Sequence, residues 1–389
     1  MAKYKLGDIV TLLNGRAYLM PELQDSGKYR ILRVGNLSGG NDSWYYSDME
    51  LDENKYCENG DLLYAWACNF GPHIWREEKV IYHYHIWKLV ENKEKVDRTY
   101  LYYYLLHQTP FYLGGVNGAT MVHITKKNME KKTVYIPSSL NVQHRIASIL
   151  STYDTLIENN AKRIRLLEKM AENLYKEWFS YGKIIKGGTI VRLTDIIQIT
   201  RGLSYSTAEI DCEEGLDLIN LKNIQAYGGF RYDGTKKFCG KYKNEQIVCE
   251  GDLVMGVTDM TQDRRTVGSV ALIPKTDKLS VISADLIKIS SSISSVFLFG
   301  MFKYGNVSKY VAQFANGANV LHLRPKALHN IKVLLPNPNL INKYVDIVSP
   351  MVAEMNKLYV LSEKLARQRD LLLPRLMSGK LEVKEELLE

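Results

Sequence analysis

Cysteine and proline are both scarce in this chain, and each shortage excludes something. Its 389 residues hold five cysteines, Cys57, Cys68, Cys212, Cys239 and Cys249, an odd number with no CxxC pair among them. That spacing offers neither a zinc ligand set nor a disulfide framework, so reduced thiols in a cytoplasmic protein are expected. The ten prolines never stand side by side. The Pro-Pro-aromatic loop that follows Asp or Asn in a DNA methyltransferase is therefore missing, and so is a Gly-rich cofactor loop. The GxxxxGK[ST] run that cradles nucleotide phosphates is missing too. No apolar run is long enough to cross a membrane, and the opening MAKYKLGDIV lacks the apolar core of a signal peptide.

What is present is a globular composition, 46% hydrophobic, with a formal net charge of +8 and 26 tyrosines. The positive balance leans toward a polyanionic partner. Tyrosine joins apolar area to a polar tip, which suits binding surfaces as well as cores.

The strongest local pattern runs from Ile146 to Trp178. Its seam is Ile146, Leu150, Tyr153, Ile157, Asn160, Ile164, Leu167, Ala171, Leu174 and Trp178, in alternating steps of four and three. That is the stripe of a helix packing on helices as a coiled coil. No Pro or Gly interrupts residues 143–181, which as a helix would reach roughly 55 Å.

The chain also contains itself twice. Leu6, Asp8, Ile9, Gly15 and Tyr18 recur as Leu193, Asp195, Ile196, Gly202 and Tyr205, at a constant offset of 187. GDLLYAW from Gly60 returns as GDLVMGV from Gly251, and NGATMVHI from Asn117 as NGANVLHL from Asn316. Shifted by 198, the seam reads Tyr344, Val348, Met351, Met355, Leu358, Ser362, Leu365, Arg369, Leu372 and Leu376. A second heptad helix is therefore expected, with Ser349 and Pro350 as its N-cap and first-turn proline and its long part starting near Met351. Gly182 and Gly379 would end the two helices.

An α+β protein of four segments follows. Residues 1–137 form a first mixed domain, 138–183 a helical spacer, 184–336 a second mixed domain, and 337–389 a second spacer with a charged tail. If the two helices pair antiparallel, the object has approximate two-fold symmetry and carries two similar but unlike heads. Two such heads suit half-sites on DNA, where one helical turn is about 34–36 Å. The polar seam residues Asn160, Ser362 and Arg369 can fix register.

At this point the chain resembles the specificity subunit of a type I restriction-modification enzyme. The residues that carry the resemblance are LGDIVTLLNGRAY with its echo LTDIIQITRGLSY, GDLLYAWACNFGPHIW, IYHYHIWKL, GDLVMGVTDMTQDRRTVGSVALIP, NGATMVHI, NGANVLHL and the two helices. The resemblance implies two target recognition domains that read an asymmetric, bipartite DNA site. It implies two methyltransferase subunits held on the helices and restriction subunits joining them. It also implies that the chain is not itself catalytic and binds no metal or cofactor. S-adenosylmethionine, ATP and Mg would belong to its partners.

Base readers are expected among Arg, Asn and Gln, with Lys and Arg on phosphates and aromatics on distorted bases. In the first domain these are Arg16, Tyr18, Arg33, Asn36, Asn69, His73, Asn117 and Thr120. In the second they are Arg201, Tyr205, Asn220, Asn223, Thr258, Gln262, Arg264, Arg265, Asn316 and Asn319. The loop TDMTQDRR is the most polar insertion beside a repeated motif. Asn-Gly is also a turn by its own geometry, and a hydrogen-bonded core residue is the simpler reading of His123 and His322. Ile157, Asn160, Ile164, Leu167, Met355, Leu358, Ser362 and Leu365 are the helix positions expected to meet partner helices. The alternative is a coiled-coil scaffold, or adaptor, whose heads bind protein.

Overall fold

The computed structural model describes residues 1–37, 43–113, 124–179, 188–210, 212–276 and 278–383. The chain forms two compact units, one of residues 1–158 with 362–389 and the other of residues 159–361.

The first unit contains β1 (Ala2–Lys5), β2 (Val10–Asn14), β3 (Tyr29–Leu32), α1 (Val34–Leu37), β4 (Tyr45–Ser47), β5 (Tyr56–Cys57), β6 (Leu62–Ala65), β7 (Gly71–Ile74), β8 (Val80–Tyr82), β9 (Ile86–Glu91), α2 (Arg98–Leu113), α3 (Lys126–Glu130) and β10 (Thr133–Ile136). Two four-stranded sheets have the orders β2-β9-β6-β7 and β4-β3-β8-β5, and β1 pairs antiparallel with β10. Strand β6 is buried along its whole length, as its unbroken apolar run LLYA requires. Helix α4 (Leu140–Phe179) follows, its first part in this unit and its second part in the other.

The second unit repeats the plan with β11 (Thr189–Arg192), α5 (Leu193–Ile196), β12 (Gln198–Arg201), β13 (Leu216–Ile219), β14 (Lys236–Phe238), β15 (Ile247–Val248), β16 (Leu253–Gly256), β17 (Thr258–Asp259), β18 (Val270–Leu272), β19 (Ser280–Ile282), β20 (Leu286–Ser290), α6 (Ser295–Lys303), α7 (Val307–Ala312), β21 (Leu321–His322) and β22 (Lys332–Leu335). Its sheets are β12-β20-β16-β18 and β14-β13-β19-β15, with β11 on β22. Among the described residues this is the strand order of the first unit, with the pair β17–β21 added. Even the parallel pairings recur, β3 with β8 and β13 with β19, and the isolated bridges Arg16–His83 and Leu203–Ser283. The sequence duplication is thus a duplication of fold.

Two glycines show why the repeat keeps its punctuation. A Cβ on Gly15 would lie 2.4 Å from the carbonyl oxygens of both Tyr82 and His83, and one on Gly202 would lie 2.0 Å from that of Ser283. At both places the chain leaves its first long strand by crossing directly over another backbone, so no side chain fits.

Helix α8 (Pro338–Met377) is as long as α4, at 40 residues each. In the first unit Ile146, Ala147 and Leu150 of α4 share a core with Leu373, Leu376 and Met377 of α8, and Arg369 meets Asp154 at 2.5 Å. In the second unit Ala171 and Tyr175 pack with Ile341, Tyr344 and Val348, and Arg163 meets Glu354 at 2.9 Å. Numbers rise along α4 as they fall along α8, so the helices run antiparallel within each unit. No seam position of either helix is exposed. Gly379 has φ +71° and its N–H returns to the Leu376 carbonyl, which ends α8. Gly182 lies outside the described residues.

Two expectations are corrected. Pro350 does not open the second helix, since α8 starts at Pro338 and runs through it. An interior proline costs a helix about 3 kcal/mol. Here Tyr344 and Val348 before it, and Leu358 after it, are buried and hold both flanks. Nor are all five thiols free: Cys212 and Cys239 form a disulfide, while Cys57, Cys68 and Cys249 are free. The Ile210–Phe238 bridge brings the flanking backbones side by side, which a spacing rule based on CxxC does not register.

Candidate nucleic-acid interface

In the first unit the strand-exit loops carry Arg16 and Tyr18. The Arg16 guanidinium forks onto Glu22 with bonds of 3.0 and 2.7 Å and lies 5.3 Å from the Tyr18 ring centroid. Tyr18 stacks toward His83 at 6.4 Å, and burial raises its pKa far above the ordinary tyrosine value. Arg33 lies 4.4 Å over the Tyr45 ring and donates to the Ser43 carbonyl. Asn36 accepts the Arg33 N–H at 3.1 Å and donates to the same Ser43 carbonyl. Asn69 is exposed, while His73 is half-buried in β7, opposite Leu63, where burial lowers its pKa. Asn117 and Thr120, with His123, lie outside the described residues.

A cluster that the motif reading passed over lies beside these. Trp66 approaches Tyr84 at 6.0 Å, His85 at 5.1 Å and Trp87 at 5.7 Å, and His83 lies 4.7 Å from His85. Burial, then the neighbouring charges of His85 and Arg33, push the His83 pKa down to about 4. Tyr84 remains 38% exposed. A cavity of about 320 Å³ is lined by Trp66, Tyr84, Gly15 and Lys126. The alternation in IYHYHIWKL reads as a strand, which hides the sharp turn at residues 83–85 where these rings converge. In the second unit Ser283, Ala284 and Asp285 stand in the same place, so the two units differ there in ring content and charge.

In the second unit the structure brings two candidate loops together. Strand β17 pairs with β21, and Gln262 donates 2.9 Å to the Ala318 carbonyl. Thr258, Gln262, Arg264 and Arg265 thus share an edge with Asn316 and Asn319. Asp259, buried beneath the loop, accepts N–H bonds from Thr261 at 2.8 Å, Thr266 at 2.6 Å and Val267 at 3.3 Å. Burial acts to raise its pKa, but the bonds from Thr266 and Thr261 outweigh it and hold the carboxyl below its ordinary value. Thr258 is buried and donates to Asp285 at 3.0 Å. Gln262, Arg264, Arg265, Asn316 and Asn319 are exposed. Arg265 pairs with Asp263 at 2.5 Å, and Arg264 holds a left-handed backbone at φ +52°.

Asn220 and Asn223 are elsewhere. Both are buried, and their amides bond the chain itself: Asn220 to the Leu218 and Gly234 carbonyls, Asn223 to the Arg231 carbonyl and the Thr235 hydroxyl. Arg201 is exposed at the end of β12, and Tyr205 is half-buried against Leu203 and Phe238.

On the helices, Asn160, Ile164 and Leu358 are buried, and Ile157, Leu167, Met355, Ser362 and Leu365 are partly buried. The apolar side chains left exposed there are others, among them Leu156, Leu166, Met170, Leu361 and Leu371. Among the described residues no helix is long and apolar enough to cross a membrane, and no three His, Cys, Asp or Glu side chains gather as a metal site.

Comparison with known proteins agrees with this architecture. Residues 1–169 match the family model described as the type I restriction modification DNA specificity domain. The specificity subunit of the type I restriction enzyme MjaVIII from Methanocaldococcus jannaschii is 24% identical over 358 residues, which is 86% of this chain and 81% of that protein. The MjaIX specificity subunit of the same organism is 23% identical over 321 residues, 75% of this chain and 71% of its own. The crystal structure of a type I restriction-modification S subunit from M. genitalium superposes with a TM-score of 0.64 at 16% identity, covering 96% of this chain and 95% of that one, and so shares the fold. Residues 1–169 thus match a type I restriction modification DNA specificity domain, and over most of its length the chain is similar to specificity subunits of type I restriction enzymes.

Proposed function

We propose that the chain reads an asymmetric, bipartite DNA sequence, one half by each unit, within a type I restriction-modification complex. The observation that carries this reading is the coexistence of an identical frame with different edges. Both units keep the same two sheets, yet His83-Tyr84-His85 in one is Ser283-Ala284-Asp285 in the other, and the loop after β16 is the polar TDMTQDRR where the first unit has ACNFG. A conserved scaffold with variable edges is what two different half-sites demand. Chemistry is assigned to partner chains: methyltransferase subunits using S-adenosylmethionine on adenine N6, and restriction subunits using ATP and Mg, in the cytoplasm. The exposed helix residues Leu156, Leu166, Met170, Leu361 and Leu371 are the apolar contacts offered to those subunits.

The test is a swap. Residues 1–137 are replaced by the corresponding segment of another specificity subunit, and host methylation is mapped by sequencing. Change in one half of the methylated motif supports the reading. Change in both halves, or in neither, overturns it.

A further inference from the structure

The second unit holds a cleft of about 770 Å³ between the later turns of α4, the loop around Arg264, and the α6–α7 corner. We propose that it binds a run of phosphate groups. Six cations line it, Arg165, Lys169, Lys176, Arg264, Lys303 and Lys309, against two carboxylates, Glu168 and Glu172. Glu172 is shared between Lys169 and Lys176, and Glu168 pairs with Lys303. Among the described residues no ion pair is formed by Arg165, Arg264 or Lys309. Cations gathered around one cleft repel one another unless an anion lies among them.

Two further observations concern the residues that line it. Ser308 lines the cleft at 8% exposure, and its buried Oγ has no hydrogen-bond partner. Of the four non-glycine residues with left-handed backbone among the described residues, three line this cleft: Tyr227 at φ +65°, Arg264 at +52° and Asn306 at +60°. Such conformations are unfavourable and collect where a site must be held in shape.

The repeat supplies an internal control. Shifted by 198, Arg165 falls on Glu363, Lys169 on Arg367 and Lys176 on Pro374, and a second cavity of about 350 Å³ lies on α8 beside Glu363, Arg367 and Asp370. The place on the helix is kept and the charge is not, so the cavity on α8 is not a second cationic cleft.

Two sources present phosphates in series, the backbone of a nucleic-acid strand and a free polyphosphate. The inference goes beyond the DNA-reading proposal and does not depend on it. The full chain is titrated with tripolyphosphate by calorimetry at low salt, and with a random-sequence duplex over a range of salt. One tripolyphosphate per chain is expected. The exposed-site variants Arg165→Glu and Lys309→Glu each weaken it at least tenfold. If the strand backbone is the occupant, tripolyphosphate competes with duplex, and Arg165→Glu lowers the slope of log affinity against log salt by about one. If a free polyphosphate is the occupant, the same variant loses tripolyphosphate and leaves duplex binding alone. Either result upholds the cleft. Variants that unfold at the wild-type midpoint and bind both probes as wild type does overturn it. Failure of the wild-type chain to bind any duplex would count against the DNA reading, while the tripolyphosphate arm would still decide the cleft.

Discussion

Lys88 places its ammonium 2.7 Å from the Asp61 carboxylate, each side chain less than a fifth exposed, and donates a second bond of 3.2 Å to the Tyr56 carbonyl. Lys288 does the same in the second unit, 2.7 Å from Asp252 and 3.1 Å from the Ile247 carbonyl. In both units the carboxylate also accepts a backbone N–H at 2.8 Å, from Glu58 or Cys249. The group therefore ties the strand holding the lysine to the turn that opens β6 or β16. Lys88→Met leaves the Asp61 charge with one bond in a poorly hydrated place. It is expected to lower the stability of the first unit by about 1.5–3 kcal/mol. Adding Asp61→Asn recovers part of the loss, because the stranded charge is removed. Urea unfolding of the full chain, followed by fluorescence, measures both. A single mutant as stable as wild type would show the pair to be ornamental.

Gln143 gives a second, independent test on α4. It is fully buried, accepts the Asp97 N–H at 2.9 Å, and donates to the Lys95 and Pro137 carbonyls at 3.0 and 2.8 Å. One side chain thus anchors the helix start to the connection between β9 and α2 and to the end of β10. Gln143→Leu conserves most of the volume but strands three buried polar groups. A loss of about 3 kcal/mol is expected, read as an unfolding midpoint. Gln143→Glu tests the same contacts differently, since it keeps the acceptor and loses the donor to two carbonyls.

The repeat and the helices were legible in the sequence because each rests on residues whose role is local. Gly15 and Gly202 are required by backbone crossings, and the heptad seam by the helical period. Pro350 was misread for the same reason: as a local signal it opens a helix, but packing on both sides carries α8 through it. Asn220 and Asn223 were read as base readers from residue type alone, whereas Asn220 accepts the Lys222 N–H and Asn223 the Asn220 N–H, so they brace a turn. Asn36 accepts the Arg33 N–H in the same way at the same repeat position. That pairing of Asn36 with Asn223 was visible in the duplication. The cationic cleft was not visible, since Arg165, Arg264 and Lys309 are far apart in sequence and line one cavity only in the folded chain.

His83 makes stability depend on pH. Its pKa in the fold lies near 4, below the free value of about 6.5, chiefly because it is buried and secondarily because His85 and Arg33 face it. The fold prefers the neutral ring. The stability this preference contributes is present above about pH 6.5 and is lost as pH falls toward 4. Tyr18, Tyr84 and His85 are the other titratable rings around it. His83→Gln removes the proton-binding site while keeping a polar side chain. The expected outcome is a smaller drop in melting temperature between pH 7 and pH 4.5 than in wild type. His73, lowered by burial in the same direction, still contributes in both proteins, so the difference between them isolates His83. Parallel melting curves for the two proteins would assign the acid sensitivity elsewhere.

Arg264 and Arg265 separate reading from anchoring. Both are exposed at the tip of the loop that Asp259 organises from beneath, and Arg264 has no ion pair among the described residues while Arg265 pairs with Asp263. An arginine that reads a guanine bidentately is worth about 1–3 kcal/mol of discrimination at that base. Arg264→Ala is therefore expected to relax one position in one half of the methylated motif and to leave the other half unchanged. Arg265→Ala does the same only if its pairing with Asp263 opens on DNA. Asp259→Asn acts at a distance. It weakens the acceptor of the Thr266 and Val267 N–H bonds, loosens the loop, and blurs the whole half-site without altering any exposed side chain. Methylome sequencing of hosts carrying each variant distinguishes the three. An unchanged motif in Arg264→Ala removes that side chain from the reading surface, and an unchanged motif in Asp259→Asn shows that the loop reads nothing.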